Sequence, residues 1–406
     1  MKKIIGLILL FISSQIVYGH GEGVHQHMVR EAYKLLKQYV GQDIREMKDH
    51  VGYNEEGNGQ FNPGGKIVIG AYQEDHSDAT NEGYGIFGWL VTNTHFWDPD
   101  LGDYGRFDFE INSYSNAYQK AIKYIYGGYE LRVPYPANQI IEAYDAPPNI
   151  IQFYKDGIIY YKGYYNSIGQ FVPRNRWHTA SLEFRNKIVW EILGRICHLL
   201  GDMTSPAHTH NDPHPISDGY EDWMNNPSIY NQWTYQNAIS QGALIEVNSL
   251  YPLKSLFYPT AQITNFFSSD DVDGNNINGS NDSFILYPGL SEMIQHLNSE
   301  FNGPPNKTVH WLSGTSEHAF VYGIRAIAGL LYWFAKEADL LPVPLTYAYV
   351  SGTSELYQGG TGNWYVQLGN GLEPFTYQWE IMYLEGVGYL QTYESVKKEK
   401  EKKNQG

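Results

Sequence analysis

The sequence predicts a mainly α-helical protein with a short β-rich segment near its C-terminal end. Apolar residues recur at helical spacing in 24–40, 179–201 and 316–339. In 345–381 they alternate with polar residues between Gly-rich turns, which is typical of strands. With 42% hydrophobic and 18% charged residues, the composition excludes a wholly disordered chain.

The helical pattern extends over several further segments. The predicted helices are 24–40, 113–126, 179–201, 218–245, 286–301 and 316–339. Residues 51–112 and 268–283 are rich in Gly, Asn and Asp and predict loops. The Tyr-rich stretch 128–175 contains a predicted hairpin, which would either rim an active site or lie on the surface.

The first 19 residues have the pattern of a secretory signal peptide. Lys2 and Lys3 precede an apolar run from Ile4 to Ile12, and small and polar residues follow up to Gly19. The apolar run is shorter than the roughly 20 residues of a membrane span, although an N-terminal anchor remains the alternative. We expect cleavage near Gly19, a secreted protein without a transmembrane segment, and a new first residue, His20.

Charge and cysteine content exclude several classes of protein. The formal net charge of −16 argues against a broad basic surface for nucleic acid or anionic lipid. Cys197 is the only cysteine, so intrachain disulfides and Cys-based zinc fingers are excluded. A metal in this chain would therefore be held by His, Asp and Glu.

Histidines and carboxylates are concentrated between residues 198 and 221. His198 and Asp202 are four residues apart on a predicted helix, so they share one face. Pro206 ends that helix, and the following turn would bring His208 back toward the same face. A single histidine on an apolar helix is usually structural, but this cluster is hard to explain by packing, because buried charges need partners or a metal.

Three further segments offer nitrogen and oxygen ligands. They are His25-Gln26-His27 at the start of the first helix, Asp75 in the run from Gly70 to His76, and His95 in the run from Thr94 to Asp100. Each signal is weak alone. Together with the cluster they supply about as many ligands as two or three zinc ions need.

These motifs resemble the zinc-dependent phospholipase C / S1–P1 nuclease superfamily over roughly residues 20–340. His198, Asp202 and His208 match its H-x3-D-x5-H motif, and residues 95–100 match its HFWDPD-like stretch. Val24 and His27 match the pattern that opens its first helix, so His27 is preferred over His25. Gly70 and Asp75 match the segment ahead of residue 95. The resemblance implies a multi-helix catalytic domain.

The third metal site departs from the family pattern. Ser217 stands where the family places a histidine one helical turn before an acid. His214 with Glu221 is the favoured pair, and His210 with Asp218 is the alternative. The family's N-terminal residue is also a ligand, through its amine and carbonyl, and here it would be His20. The expected metal ligands are His20, His27, Asp75, His95, His198, Asp202, His208, His214 and Glu221.

The resemblance implies hydrolysis of a phosphodiester by metal-activated water. Asp202 would bridge two zinc ions, and Asp75 would orient or deprotonate the attacking water. A phospholipid substrate is favoured, with transient membrane-surface contact by a monomer. The alternatives are a single-strand nuclease and a non-catalytic binding protein whose zinc sites are structural.

Four regions are expected along the chain. Residues 1–19 form the signal peptide and residues 20–341 the catalytic domain. Residues 342–395, which include Pro374-Phe375-Thr376-Tyr377-Gln378-Trp379, resemble part of an immunoglobulin-like module of secreted bacterial proteins. Residues 396–406 form a charged, disordered tail.

Overall fold

A computed structural model of the chain divides it into two units, Met1–Leu340 and Leu341–Gly406. The described residues are 21–52, 65–77, 79–80, 92–104, 115–135, 139–211, 219–267, 309–342, 347–352, 364–369, 377–381 and 392–396. Several predictions lie outside them: the signal peptide, His20, His214, Asp218, the loop 268–283, the helix 286–301 and the tail beyond Val396.

The first unit is mainly helical, which confirms the predicted fold class. Its helices are α1 (Glu22–Val40), α2 (Arg45–Val51), α3 (Lys66–Gln73), α4 (Ala117–Tyr126), α5 (Ile150–Asp156), α6 (Leu182–Asp202), α7 (Pro206–Thr209), α8 (Gly219–Met224), α9 (Pro227–Tyr230), α10 (Tyr235–Gln241), α11 (Lys254–Thr264), α12 (Val309–Thr315) and α13 (Val321–Glu337). Short 3₁₀ turns span Thr92–His95 and Pro99–Leu101, and a π turn spans Ser316–Phe320.

Helix α6 lies at the centre of this unit. The side chain of Ser181 caps its start by accepting the backbone N–H of Phe184. Nearly every residue from Ile188 to Asp202 is buried, as expected for a helix surrounded by others. The prediction of 179–201 placed the start too early, because Thr179 still belongs to the preceding strand.

Helices α3 and α6 pack unusually closely. A Cβ atom at Gly70 would lie 1.9 Å from the carbonyl oxygen of Glu191, and one at Gly194 would lie 2.0 Å from that of Ile67. Only glycine fits at both positions, because the obstructing atoms are backbone atoms that cannot rotate away. The prediction that 51–112 is mostly loop did not include helix α3.

Four strands between Glu130 and Thr179 form an antiparallel sheet rather than a single hairpin. Strands β1 (Glu130–Tyr135), β2 (Ile140–Asp145), β3 (Ile158–Tyr165) and β4 (Phe171–Thr179) pair in chain order. The ring of Tyr144 lies 5.3 Å from that of Phe184, in the first turn of α6. That contact is about 20 Å along the helix from His198, which favours a surface position for the sheet.

Helix α13 is the most apolar helix of the described chain. The stretch Leu312–Glu337 is long and apolar enough to cross a membrane by length and composition, and 78% of its most apolar window is buried inside the protein. From the sequence we expected no segment after the signal peptide to be apolar enough to span a bilayer. Burial of this kind is what a core helix shows, and a core helix passes the same length test.

The predicted helix 218–245 is wrong as a single element. It is divided into α8, α9 and α10. Pro227 begins a new helix after the capping side chain of Asn226, and Thr234 caps the next one. Asn and Thr compete for backbone hydrogen bonds and favour such caps over helix interiors.

The second unit contains strands, as the alternation of residues predicts. Strand β5 (Tyr347–Gly352) pairs antiparallel with β6 (Trp364–Gly369), and β7 (Tyr377–Ile381) pairs antiparallel with β8 (Thr392–Val396). The immunoglobulin-like resemblance of this segment stays a prediction.

Candidate metal centre

The last turn of α6 carries His198 and Asp202, both fully buried. Nε2 of His198 lies 3.3 Å from Oδ2 of Asp202. The opposite ring nitrogen, Nδ1, donates a hydrogen bond to the carbonyl of Ala71 at 2.7 Å. Because a carbonyl only accepts, this bond places a proton on Nδ1 and turns Nε2 toward the carboxylate, the usual arrangement behind a metal-binding histidine.

Asp75 enters the cluster from the turn that follows α3. Its Oδ1 lies 3.3 Å from Nε2 of His198 and 3.5 Å from Nδ1 of His95. The close packing of α3 on α6 positions this turn, since α3 ends at Gln73, two residues before Asp75. The side chain is buried.

His95 ends the 3₁₀ turn Thr92–His95 and faces the same carboxylates. Its Nδ1 lies 3.2 Å from Oδ2 of Asp202 and 3.3 Å from Nε2 of His198. Main-chain hydrogen bonds hold this segment against α7: Trp97 N–H donates to the carbonyl of His208 at 3.0 Å.

His25, from α1, completes this group of buried side chains. Its Nε2 lies 3.3 Å from Oδ1 of Asp202, and its ring stacks on that of His198 with 3.7 Å between centroids. Gly201 makes room for the ring, because a Cβ atom there would lie 2.7 Å from Nδ1 of His25.

His208 and Glu221 form a second pair beside the first group. Nδ1 of His208 donates to the carbonyl of His95 at 3.0 Å, and Nε2 lies 3.0 Å from Oε1 of Glu221. Nδ1 also lies 3.9 Å from Oδ1 of Asp202. The structure thus brings His208 and Glu221, both expected ligands, to the border of the cluster.

The donor set fits a metal ion such as zinc. Two groups have ligand atoms within 4.8 Å of one another: His25, Asp75 and His198, and His95, His198 and Asp202. The four carboxylate oxygens of Asp75 and Asp202 are buried and accept no hydrogen bond of good geometry among the described residues. Burying such oxygens is costly unless a cation lies close by, and imidazole with carboxylate is a typical zinc environment.

The charges of the cluster stabilise one another. Burial alone would lower the pKa of His198, but the carboxylates of Asp75 and Asp202 raise it well above its usual value. Burial alone would raise the pKa of Asp202, but the neighbouring histidines, His198 first, hold it well below its usual range. Burial, and then the charge of His198, lower the pKa of His25.

Zinc binding is therefore expected to strengthen as pH rises from about 6 to about 8, by up to about tenfold per pH unit. His198 holds its proton at neutral pH without metal, because its pKa is raised, and a metal must displace that proton from Nε2. Chelator-competition titrations, corrected for the pH dependence of the chelator's own zinc affinity, would measure the zinc affinity of the protein. Calorimetry in two buffers would count the protons released on binding. An affinity independent of pH would contradict the expectation.

The structure places His25, and not the predicted His27, in the cluster. Nε2 of His27 donates to the carbonyl of Trp233 at 2.7 Å, and its ring lies beside those of Tyr230 and Phe320. Two residues along a helix rotate a side chain by about 200°, so His25 and His27 leave α1 in different directions. His25 is therefore the histidine of α1 that enters the proposed ligand set.

Alanine at position 25 is accordingly expected to weaken zinc binding by about 100-fold or more, since even the loss of a hydrogen bond to a ligand costs 10–100-fold. The matched variant His27→Ala also removes a buried imidazole of the same helix. It should keep a zinc affinity close to that of the wild type, because His27 lies outside the cluster. Competition with a chelator would measure both. If His27→Ala instead bound zinc more weakly than His25→Ala, His27 would be restored as the ligand.

The third predicted site is only partly described. His20, His214 and Asp218 lie outside the described residues. His210, the reserve ligand, donates from Nε2 to the carbonyl of Phe267 at 2.9 Å, so that nitrogen is engaged with the main chain. Among the described residues, the carboxylate of Glu221 contacts His208.

The family motif favoured His27 over His25, although the sequence also carries a signal for His25. His25 is seven residues before Ala32 and eleven before Leu36, so it lies on the centre of the apolar face of α1. His27 instead lies in line with Lys34 on the polar flank. Two other features had no sequence signal, because both depend on contacts between distant helices. They are the space that Gly201 leaves for His25 and the carbonyl of Ala71 that accepts a hydrogen bond from His198.

Comparisons with known proteins include a structural neighbour. No protein-family model matches the chain, and no curated protein matches it. A solved structure titled alpha toxin from Clostridium absonum has a TM-score of 0.40 and 14% sequence identity, over 94% of this chain and 84% of that chain.

Proposed function

We propose that this chain is a secreted, zinc-dependent hydrolase of phosphodiesters, and that a phospholipid head group is its substrate. The observation that carries the proposal is the position of Asp202 between two sets of imidazoles. Oδ1 faces His25, whereas Oδ2 faces His95 and His198. A carboxylate in this position would hold two neighbouring ions, the arrangement used for in-line displacement at phosphorus.

Each side chain has a distinct part in this proposal. Zinc, when bound, supplies positive charge to phosphate oxygens and makes water more acidic. His25, Asp75, His95, His198 and Asp202 would hold two ions, and His208 with Glu221 would contribute to a third. Asp75 would accept a hydrogen bond from the attacking water and so orient it.

Asp75 is better suited to orient water than to remove its proton. Burial would raise the pKa of this carboxyl, but His198, followed by His95, lowers it below the usual value. A carboxylate with a lowered pKa is a weak base, yet it remains ionised and can accept a hydrogen bond over the whole neutral range.

Cleavage of a signal peptide near Gly19 fits this proposal. The backbone N–H of Gly21 donates to the side chain of Asn225, one turn after Glu221. The chain just after the proposed cleavage point therefore lies beside the helix that carries Glu221. A new α-amine at His20 would begin one residue away. N-terminal sequencing of the exported protein would test the cleavage point.

The function is tested by assaying two substrates side by side. Chelator-treated protein, with and without added zinc, would be given a chromogenic phosphocholine diester and single-stranded DNA. We expect zinc to restore turnover of the choline ester and not of DNA, because a net charge of −16 opposes binding of long polyanions. Magnesium, which prefers all-oxygen sites, is the control and should not restore activity.

Each other outcome has a definite meaning. Cleavage of DNA alone would replace the phospholipase proposal by a nuclease. Zinc bound at the cluster without hydrolysis of either substrate would favour a structural site in a binding protein.

A further inference from the structure

A second buried charge cluster lies directly behind the metal centre and centres on Glu74. This glutamate is fully buried and precedes the expected ligand Asp75. Its carboxylate contacts Lys120 at 2.6 Å, Arg195 at 2.9 Å and the hydroxyl of Tyr124 at 2.7 Å. A glutamate buried with two cations is costly to assemble unless every partner is well placed.

The contacts of this cluster reach the segments that carry the metal ligands. Lys120 Nζ also donates to the hydroxyl of Thr94 at 2.8 Å, and Thr94 precedes His95. Lys120 is itself fully buried. Glu74 and Lys120 therefore connect the turn that bears Asp75 to the turn that bears His95.

Arg195 extends the same connection to α6. Its guanidinium donates to the carbonyls of Gln73 and Ser77, at 3.3 and 2.6 Å, on either side of Asp75. Arg195 is three residues before His198 on α6, so the two side chains leave the helix on neighbouring faces. The turn bearing Asp75 is thus fixed to the helix that supplies His198 and Asp202.

His95 places one nitrogen toward each cluster. Nδ1 faces Asp202 and His198, as described above, and Nε2 lies 4.0 Å from Oε1 of Glu74. Nε2 is buried and makes no hydrogen bond of good geometry among the described residues. A carboxylate behind a metal-binding imidazole fixes its tautomer and raises its basicity.

We propose that Glu74 is a positioning residue of the metal centre. It holds Asp75, His95 and α6 at the separations that a metal ion requires. Its carboxylate would also accept a hydrogen bond from Nε2–H of His95 when Nδ1 binds metal. This inference rests on the zinc centre of the proposed function, but it does not depend on the identity of the substrate.

The test compares Glu74→Gln with a matched variant, Glu130→Gln. Glu130 also contacts a lysine, an arginine and a tyrosine, namely Lys162 at 2.6 Å, Arg132 at 2.9 Å and Tyr165 at 3.0 Å. Those contacts lie on the surface sheet, away from the ligands. Both variants convert the carboxylate to an amide and keep the size of the side chain.

Three measurements separate positioning from general stability. Chelator competition gives the zinc affinity, the visible absorption of the Co²⁺-loaded protein reports the ligand geometry, and thermal unfolding of the metal-free protein gives its stability. We expect Glu74→Gln to bind zinc 10–100-fold more weakly, a range of about that size being usual for partners of metal ligands, and to alter the cobalt spectrum. Glu130→Gln should leave zinc affinity and cobalt spectrum unchanged.

The possible outcomes are distinguishable. Wild-type zinc affinity and cobalt spectrum in Glu74→Gln would overturn the inference, whatever its thermal stability. If that variant does not fold, Thr94→Val removes only the hydroxyl that joins Lys120 to the turn before His95, and wild-type affinity there would overturn the inference. A wild-type protein that binds no zinc would overturn both the inference and the proposed function, whereas zinc binding without hydrolysis would overturn only the function.

Discussion

Replacing Asp202 by asparagine is expected to abolish zinc binding at the centre and, with it, hydrolysis of the choline ester. Both oxygens of Asp202 face imidazole nitrogens, at 3.2–3.3 Å. An amide offers one oxygen and turns a second group, which carries protons, toward His25 or His95. Loss of a residue that merely supports a ligand weakens binding by about 10–100-fold, so removal of a shared ligand should exceed the upper end of that range.

The same substitution should also destabilise the metal-free protein. The high pKa of His198 depends on the carboxylates of Asp75 and Asp202, and removing one leaves a buried imidazolium with less compensation. Breaking a buried pair in this way usually costs about 3–5 kcal/mol. Denaturant unfolding in the presence of a chelator would measure the change in the free energy of unfolding.

Asp103→Asn is the control for Asp202→Asn. Asp103 is half-buried and pairs with Lys254 at 2.7 Å on the surface. An exposed pair contributes about 0–1 kcal/mol, so this variant should keep its stability, zinc content and activity. Wild-type zinc stoichiometry and affinity in Asp202→Asn would refute the assignment of Asp202 as the shared ligand.

Replacing Gly194 by alanine is expected to separate α3 from α6. The added Cβ atom would lie 2.0 Å from the carbonyl oxygen of Ile67 and 2.9 Å from the amide nitrogen of Ala71. Both are backbone atoms of α3, so the helices must move apart. Such overpacking costs about 1–3 kcal/mol or more, whereas alanine within a helix gains about 1 kcal/mol over glycine.

The net effect on stability is therefore a loss, and zinc affinity should fall as well. The carbonyl of Ala71 holds His198, and Asp75 follows α3, so a shift of this helix moves two expected ligands. Denaturant unfolding and chelator competition would measure the two effects. Gly23→Ala is the control, because a Cβ atom there would meet only the side chain of Tyr230, at 3.3 Å. A Gly194→Ala variant as stable as the wild type would show that the helices can adjust.

The parts of the site that the sequence predicts are those encoded by local spacing. His198 and Asp202 share a helical face, and Pro206 turns the chain so that His208 returns; both features can be seen within a dozen residues. His95 and Asp75 could be named only as weak candidates, because each lies in a loop whose position is set by other helices.

The remaining parts depend on contacts between distant segments. Glu74 has no signal of its own, since its partners Lys120 and Arg195 come from α4 and α6. Helix α3 is short and contains Gly70, which lowers its intrinsic helix propensity, and its stability comes from packing on α6. The choice of His27 over His25 followed a family motif, whereas the apolar face of α1 favoured His25.

The proposed ligands among the described residues come from six separate segments that extend from α1 to α8. No short peptide of this chain contains a complete set, so fragments that end before Glu221 lack a ligand. Zinc uptake would thus mark the completion of tertiary structure, and a zinc-sensitive dye added during refolding would report the last step of assembly. Limited proteolysis of the zinc-free chain would be expected to cut connections that the bound ion otherwise holds together.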